Sequence, residues 1–405
     1  MVCAQVLAQI GAFTLPALLP EFIARWALSA TDAGWLIGAF FGAYVLAVPV
    51  LVALTDRIPA RRIYLLGTGL TALSHLGFAL FADGFWSALA LRCIAGIGWA
   101  GCYMPGLKAI ADRLEGNAQS RAVTWHATGV GIAGAASFAV AGGLDALAGP
   151  LAPFMFGGAA ALVAGAIGYS VMPAELPRRS AEAASPEALL DFRPVLRNRQ
   201  AMAWIIGYTV HTWELAALRA WAVTFLAATI TWHGSPGWLP GPTALFTLAG
   251  MAGIVVSVFG NEAAQRLGRM RIVAWAMSVA ATMSLVSGVS GLISAPLAAC
   301  CIILWNATIY LDSSALTAGT VQAAAPGKRG ATMGLHSMCG YAGGFVGPLG
   351  VGVAVDIAGG EAWGWCLGFA QLALVTLLGL LILVRVGRQP ARDILPTIHT
   401  DNGKC

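Results

Sequence analysis

The chain has 405 residues, 58% of them hydrophobic and 10% charged, and its mean hydropathy of +0.77 excludes a soluble domain, whose surface would have to be polar. The formal charge of +5 is spread over separate short segments, which excludes a basic patch for nucleic acid. The eight cysteines fall mostly inside apolar runs without paired spacing, so neither a disulfide framework nor a metal site is expected.

Apolar runs of about 20 residues, the length that crosses a bilayer core of ~30 Å, recur from end to end. They predict twelve transmembrane helices, at 2–22, 33–54, 63–81, 85–107, 123–144, 151–172, 201–229, 242–264, 272–292, 296–321, 333–355 and 364–384. Met1 leads straight into apolar sequence with no basic leader, so no signal peptide is expected. Residues 173–199, rich in Pro, Glu, Ala and Arg, read as a cytoplasmic linker. It separates an N-terminal half of residues 1–172 from a C-terminal half of residues 200–386, and residues 387–405 form a polar cytoplasmic tail. With both termini inside, only Arg25, Arg92 and Arg219 of the 23 Lys and Arg residues fall outside the inner segments. This is the positive-inside pattern.

A helix turns about 100° per residue, so each span can be searched for a polar face. Span one carries Gln5 and Gln9 at helical spacing. Arg92, Gly96, Trp99 and Tyr103 share a face of span four. Span seven groups Trp204, Tyr208, His211 and Leu215, and span ten groups Asn306, Tyr310, Ser313 and Thr317. Ionisable groups at membrane depth are costly and are functional candidates by default. Glu214 and His211, three apart in span seven, read either as a pair that exchanges a proton or contacts solute, or as a bridge between helices. Arg219 reads either as an anion contact or as a snorkelling anchor, and it lies too far round the helix to pair with Glu214. Asp312 falls off the span-ten stripe and points to a neighbouring helix. His75, His126 and His336 read as hydrogen-bonded packing residues.

Landmarks repeat at a displacement of about 210 residues. The loop Asp56-Arg57-Ile58-Pro59-Ala60-Arg61-Arg62 returns as Gln265-Arg266-Leu267-Gly268-Arg269-Met270-Arg271, His126 returns as His336, and Asp145 returns as Asp356. Six spans is an even number, so the halves enter the membrane the same way, as parallel repeats do.

These features together resemble the major facilitator superfamily over essentially the whole length. The loop after span two is similar to the family motif at Asp56, Arg57, Arg61 and Arg62, with Pro59 and Ala60 disturbing its middle. The span-four motif of an arginine with spaced glycines is matched by Arg92, Gly96, Gly98 and Gly101. The exporters' glycine-proline motif is approached in span eleven by Gly343, Gly347, Pro348, Gly350 and Gly352, whereas span five lacks the proline. The resemblance implies an all-α membrane fold of two six-helix bundles about a central cavity lined by spans one, four, seven and ten. It also implies that Asp56 latches onto the start of span eleven, with Arg266 and Arg269 marking a weaker counterpart in the second half, where Gln265 replaces the acid.

The expected function is secondary active transport of a small polar or anionic organic solute by alternating access, coupled to protons. Arg92, Trp99, Tyr103, Tyr208, His211, Glu214, Arg219, Asn306 and Tyr310 are the candidate contacts. A multidrug-type proton antiporter and a non-transporting sensor of the same fold are the alternatives. Spans two and eight lack the arginines of nitrate-carrying relatives, no nucleotide-binding loop is present, and no nucleophile-base set marks an enzyme. No cofactor is expected. The chain is expected to work as a monomer in a bacterial inner membrane.

Overall fold

A computed structural model describes residues 1–55, 57–111, 113–114, 116–175 and 191–387, and the described residues are helical with no strand. Span one is α1 (Val2–Gln9), α2 (Thr14–Ala17) and α3 (Leu19–Trp26). Spans two to six are α4 (Ala30–Leu54), α5 (Ala60–Phe81), α6 (Phe85–Ala111), α7 (Gly116–Ala148) and α8 (Ala152–Val171). A short α9 (Arg193–Arg197) stands before span seven, α10 (Arg199–His233). Spans eight to twelve are α11 (Pro242–Leu267), α12 (Arg269–Ser290), α13 (Ala295–Ala323), α14 (Arg329–Ile357) and α15 (Ala362–Val386). Eleven of these helices are long and apolar enough to cross a membrane. Most of the 173–199 segment and nearly all of the tail lie outside the described residues.

The span missing from that eleven is the first, whose helix is broken. Pro16 and Pro20 each lack the N–H that a continuous helix would use. In hydrocarbon the freed backbone groups need other partners, and neighbouring spans supply them. Ser137 Oγ of α7 accepts from the Phe13 N–H at 3.0 Å, and Arg92 Nη1 of α6 reaches the Ala12 carbonyl at 3.5 Å. His75 closes the same region. Its Nδ1 lies 2.9 Å from the Thr71 carbonyl, and its ring fills the space that side chains on Gly11 and Gly157 would need.

Three of the other spans start at side-chain caps. Ser29 and Asp32 form a reciprocal capping box on α4, Asn198 caps α10 and Ser294 caps α13. Between helices, small residues set the distances. A Cβ on Gly96 would sit 2.1 Å from the Phe40 carbonyl oxygen, one on Gly98 2.5 Å from Thr71 Oγ1, and one on Gly101 2.8 Å from the Gly67 Cα. The glycines of the span-four motif therefore seat α6 against α4 and α5. Gly96→Ala should destabilise the protein by about 1–3 kcal/mol through overpacking, measurable as a lower thermal unfolding midpoint. In α14, Gly343 and Gly347 do the same against the α10 backbone, where added Cβ atoms would lie 2.4 and 2.3 Å from the Thr209 and Trp213 carbonyl oxygens.

The two bundles meet along two seams. In the first, α4 runs antiparallel to α14, with Gly38 against the Phe345 carbonyl and Gly352 against the Ala30 carbonyl. Toward the middle of the membrane this seam passes to aromatic side chains, Tyr44 lying 4.2 Å from Tyr341 between ring centroids. At its other end Asp356, the last acid of α14, accepts from the Ala30 N–H at 2.9 Å and the Thr31 N–H at 2.7 Å. A carboxylate from one bundle thus caps the helix N-terminus of the other. In the second seam α7 packs on α11, with Phe138 edge-on to Phe246 at 4.7 Å and Gly142 against Thr243. These contacts gather toward the end of the bundle that carries the 27–29, 149–151, 234–241 and 358–361 turns.

Candidate functional site

Most of the ionisable side chains buried at membrane depth lie in the second bundle. His211 of α10 places Nδ1 2.8 Å from Oδ1 of Asp312 of α13, and the two side chains are 3% and 4% exposed. The approach is close in distance but falls outside hydrogen-bond geometry. Asp312 reaches a neighbouring helix, as its position off the span-ten stripe implied.

Glu214, one turn further along α10, has other partners. Its Oε1 accepts from Trp305 Nε1 at 2.6 Å and its Oε2 from Thr376 Oγ1 at 2.9 Å, tying α10 to α13 and α15. Of the alternatives the sequence left open, Glu214 has the geometry of a bridge between helices, while His211 turns to Asp312. The three groups still lie within electrostatic reach of one another.

The cluster extends along α10 and α14. The Tyr208 ring stacks on His336 at 3.7 Å and on His211 at 5.9 Å between centroids. Thr320 Oγ1 donates to the Leu316 carbonyl and lies 3.1 Å from His336 Nδ1. Which of the two groups takes the hydroxyl proton depends on the His336 tautomer.

Arg219 stands at the boundary between bundles. Its Nη2 donates to the Tyr310 hydroxyl of α13, and its guanidinium lies 5.1 Å from the Phe13 ring and 5.6 Å from the Tyr310 ring. A Cβ on Gly134 of α7 would come within 3.9 Å of Nη2. Among the described residues no carboxylate pairs with it. On the first bundle's side, Trp99 lies 6.4 Å edge-on to Phe13, and its Nε1 is buried without a partner. One turn back along span one, Gln9 and Gln5 bury both atoms of their carboxamides without a hydrogen bond to any described group. Tyr103 stacks on His126 at 5.6 Å, and His126 Nε2 lies 3.1 Å from the Tyr103 carbonyl.

Two candidates from the sequence occupy helix packing rather than this boundary. Arg92 is 4% exposed, donates from Nε to the Leu36 carbonyl at 3.2 Å, and lies 4.7 Å over the Phe40 ring. Helical arithmetic put it on a face with Trp99 and Tyr103, but the broken span one draws its guanidinium toward the Ala12 carbonyl. Asn306 donates from Nδ2 to the Ala249 carbonyl of α11 at 2.6 Å and fills the space beside Gly253. In the loop motifs Asp56 lies outside the described residues, Arg57 and Arg62 are exposed, and Arg61 lies 4.7 Å over the Tyr169 ring of α8. Arg266 bonds Glu262 within α11, and Arg269 bonds Gln322 of α13.

The sequence singled out neither Trp305 nor Thr376, which hold Glu214, because an indole and a threonine in apolar spans carry no periodic signal of their own. Phe13 follows Gln5 and Gln9 at helical spacing, but as an apolar residue in an apolar span it carries no signal of its own.

The family model for the Major Facilitator Superfamily matches residues 1–348. The chain belongs to that superfamily. Over 88 residues, 22% of this chain, it is 35% identical to YwoD of Bacillus subtilis (strain 168), described as an uncharacterized MFS-type transporter; the match takes in 19% of that relative's length. Among solved structures, a bacterial homologue of the human lysosomal transporter Spinster, inward-facing and occupied, superposes with a TM-score of 0.70 at 16% identity, covering 95% of this chain and 93% of that one. The nucleoside transporter NupG superposes with a TM-score of 0.73 at 11% identity, covering 96% of this chain and 99% of that one. At these identities the two structures establish the shared fold. The protein is a multi-pass membrane protein of the Major Facilitator Superfamily.

Proposed function

We propose that this superfamily member is a secondary active transporter that moves a small organic anion by alternating access, with proton movement through the His211, Asp312 and Glu214 cluster. The observation that carries this reading is Arg219, a cation between the bundles with an aromatic collar and no carboxylate partner among the described residues. A half-buried guanidinium with no acid beside it among the described residues is complementary to a carboxylate or phosphate on a solute. Tyr310 orients the fork, and the unpartnered donors of Gln5, Gln9 and Trp99 stand on the opposite bundle to meet the solute's polar groups. Tyr103 and Tyr208 contribute to the wall between Arg219 and the cluster, while Arg92 and Asn306 hold the wall's helices in place.

In this reading the seams at the Asp356 end form a closed gate, and the basic loops face the cytoplasm of a bacterial cell with both termini inside. The chain works as a monomer, since each copy carries both bundles and the boundary between them. Asp356→Asn removes a charge from two backbone N–H groups, a loss of about 1–3 kcal/mol. Labelling of a cysteine placed near Ala30 should therefore rise several-fold as the closed gate loosens. Unchanged labelling would remove Asp356 from gating.

Reconstitution into liposomes tests the whole reading. Labelled small carboxylates should accumulate under an inwardly acidic or inwardly alkaline gradient, but not without one, and the productive sign gives the direction of coupling. Binding with no flux under any gradient would instead identify a non-transporting sensor.

A further inference from the structure

At the linker end of the second bundle, away from Arg219, the helices form a pocket of about 340 Å³ lined by Gln200, Trp204, Arg269, Met270, Gln322 and Gly387, among others, with no acid among the described residues of its wall. We infer that this pocket binds the phosphodiester headgroup of an anionic lipid. The chemistry of the wall is that of an anion site. The Arg269 guanidinium is oriented by the Gln322 carboxamide oxygen, while its Nε is buried and has no hydrogen-bond partner. The same residue begins α12, a helix of 22 residues whose N-cap is Gly268, with no side-chain cap. The first-turn N–H groups of that helix have no intrahelical acceptor, and their dipole favours negative charge. Gln200 and Gln322 add carboxamide donors.

The position favours a lipid over a soluble anion. Trp204 and Met270 give the pocket an apolar wall, and the neighbouring Leu267 and Trp275 are 58% and 55% exposed, a surface suited to acyl chains. Arg271, exposed one residue beyond the wall, adds field without lining the pocket. A basic pocket between transmembrane helices at the interface is the arrangement that binds anionic headgroups.

Thermal unfolding of the purified, delipidated protein tests this with three probes: phosphatidylglycerol, phosphatidylcholine and inorganic phosphate. Phosphatidylglycerol should raise the midpoint by several degrees and the other two should not. Arg269→Gln should lose that response and Arg271→Gln should keep it. Equal stabilisation by phosphatidylcholine, or an unchanged response in Arg269→Gln, would overturn the site. Stabilisation by inorganic phosphate equal to that by phosphatidylglycerol would overturn the lipid assignment. Where Arg269→Gln fails to fold, Gln200→Ala and native mass spectrometry of lipid adducts on the unaltered protein give the same decision.

Discussion

Asp312→Asn should abolish proton-driven accumulation while leaving exchange of solute for solute intact, because exchange needs the binding site and the moving bundles but no net proton. The substitution leaves His211 without the carboxylate 2.8 Å away, in surroundings where both side chains are almost wholly buried. Breaking a buried pair by removing one partner costs about 3–5 kcal/mol when the other stays charged, and without Asp312 the cluster loses the group that His211 faces. His211→Gln should have the same phenotype for the converse reason. Glu214→Gln should behave differently. Its amide would present a donor to either the Trp305 indole or the Thr376 hydroxyl, both of which now donate to it, at a cost of about 1–3 kcal/mol. The expected signature is a lower unfolding temperature together with reduced transport of both kinds. Full gradient-driven uptake by Asp312→Asn would exclude the His211 and Asp312 pair from coupling.

Arg219→Gln should weaken binding of an anionic solute by roughly 10- to 150-fold, the equivalent of losing one charge-assisted contact of about 1.5–3 kcal/mol. Arg219→Lys should recover only part of this, since an ammonium restores the charge but not the planar fork that Tyr310 and the Phe13 ring orient. A neutral analogue of the same solute should bind the native protein and Arg219→Gln alike. Titration of both solutes against both proteins separates the roles. An equal loss for the neutral analogue would mean that Arg219 supports the bundle boundary and does not contact the solute's charge.

The fold was legible because a bilayer imposes a simple length rule, and hydropathy alone placed the spans to within a few residues. The exception is span one, where Pro16, Pro20 and Gly11 were visible but their joint effect depends on Ser137 and Arg92 arriving from other spans. The same limit explains the site. Helical spacing groups residues on a face of their own helix but is silent on the helix opposite. It therefore set His211 beside Glu214 and left Asp312 aside, whereas the side chains pair across α10 and α13. Arg92 shows the reverse. Its place on the span-four face was read from spacing, but its partners are the Leu36 carbonyl of a continuous helix and the Ala12 carbonyl of a broken one, and no side-chain pattern encodes those. Asp356 did leave a trace, as the repeat of Asp145, yet only the antiparallel course of α4 and α14 brings it to a helix start.

The contact between Asp356 and the start of α4 lies at a partly exposed rim, and attraction between a carboxylate and a helix terminus weakens as ions accumulate around it. If the proposed closed gate sits there, the balance between two access states would be tied to the ionic strength on one side of the membrane alone. Raising salt on that side would loosen the closed gate, while the same salt on the other side would leave the contact untouched. The transporter would carry a directional sensitivity to its medium without any dedicated regulatory domain.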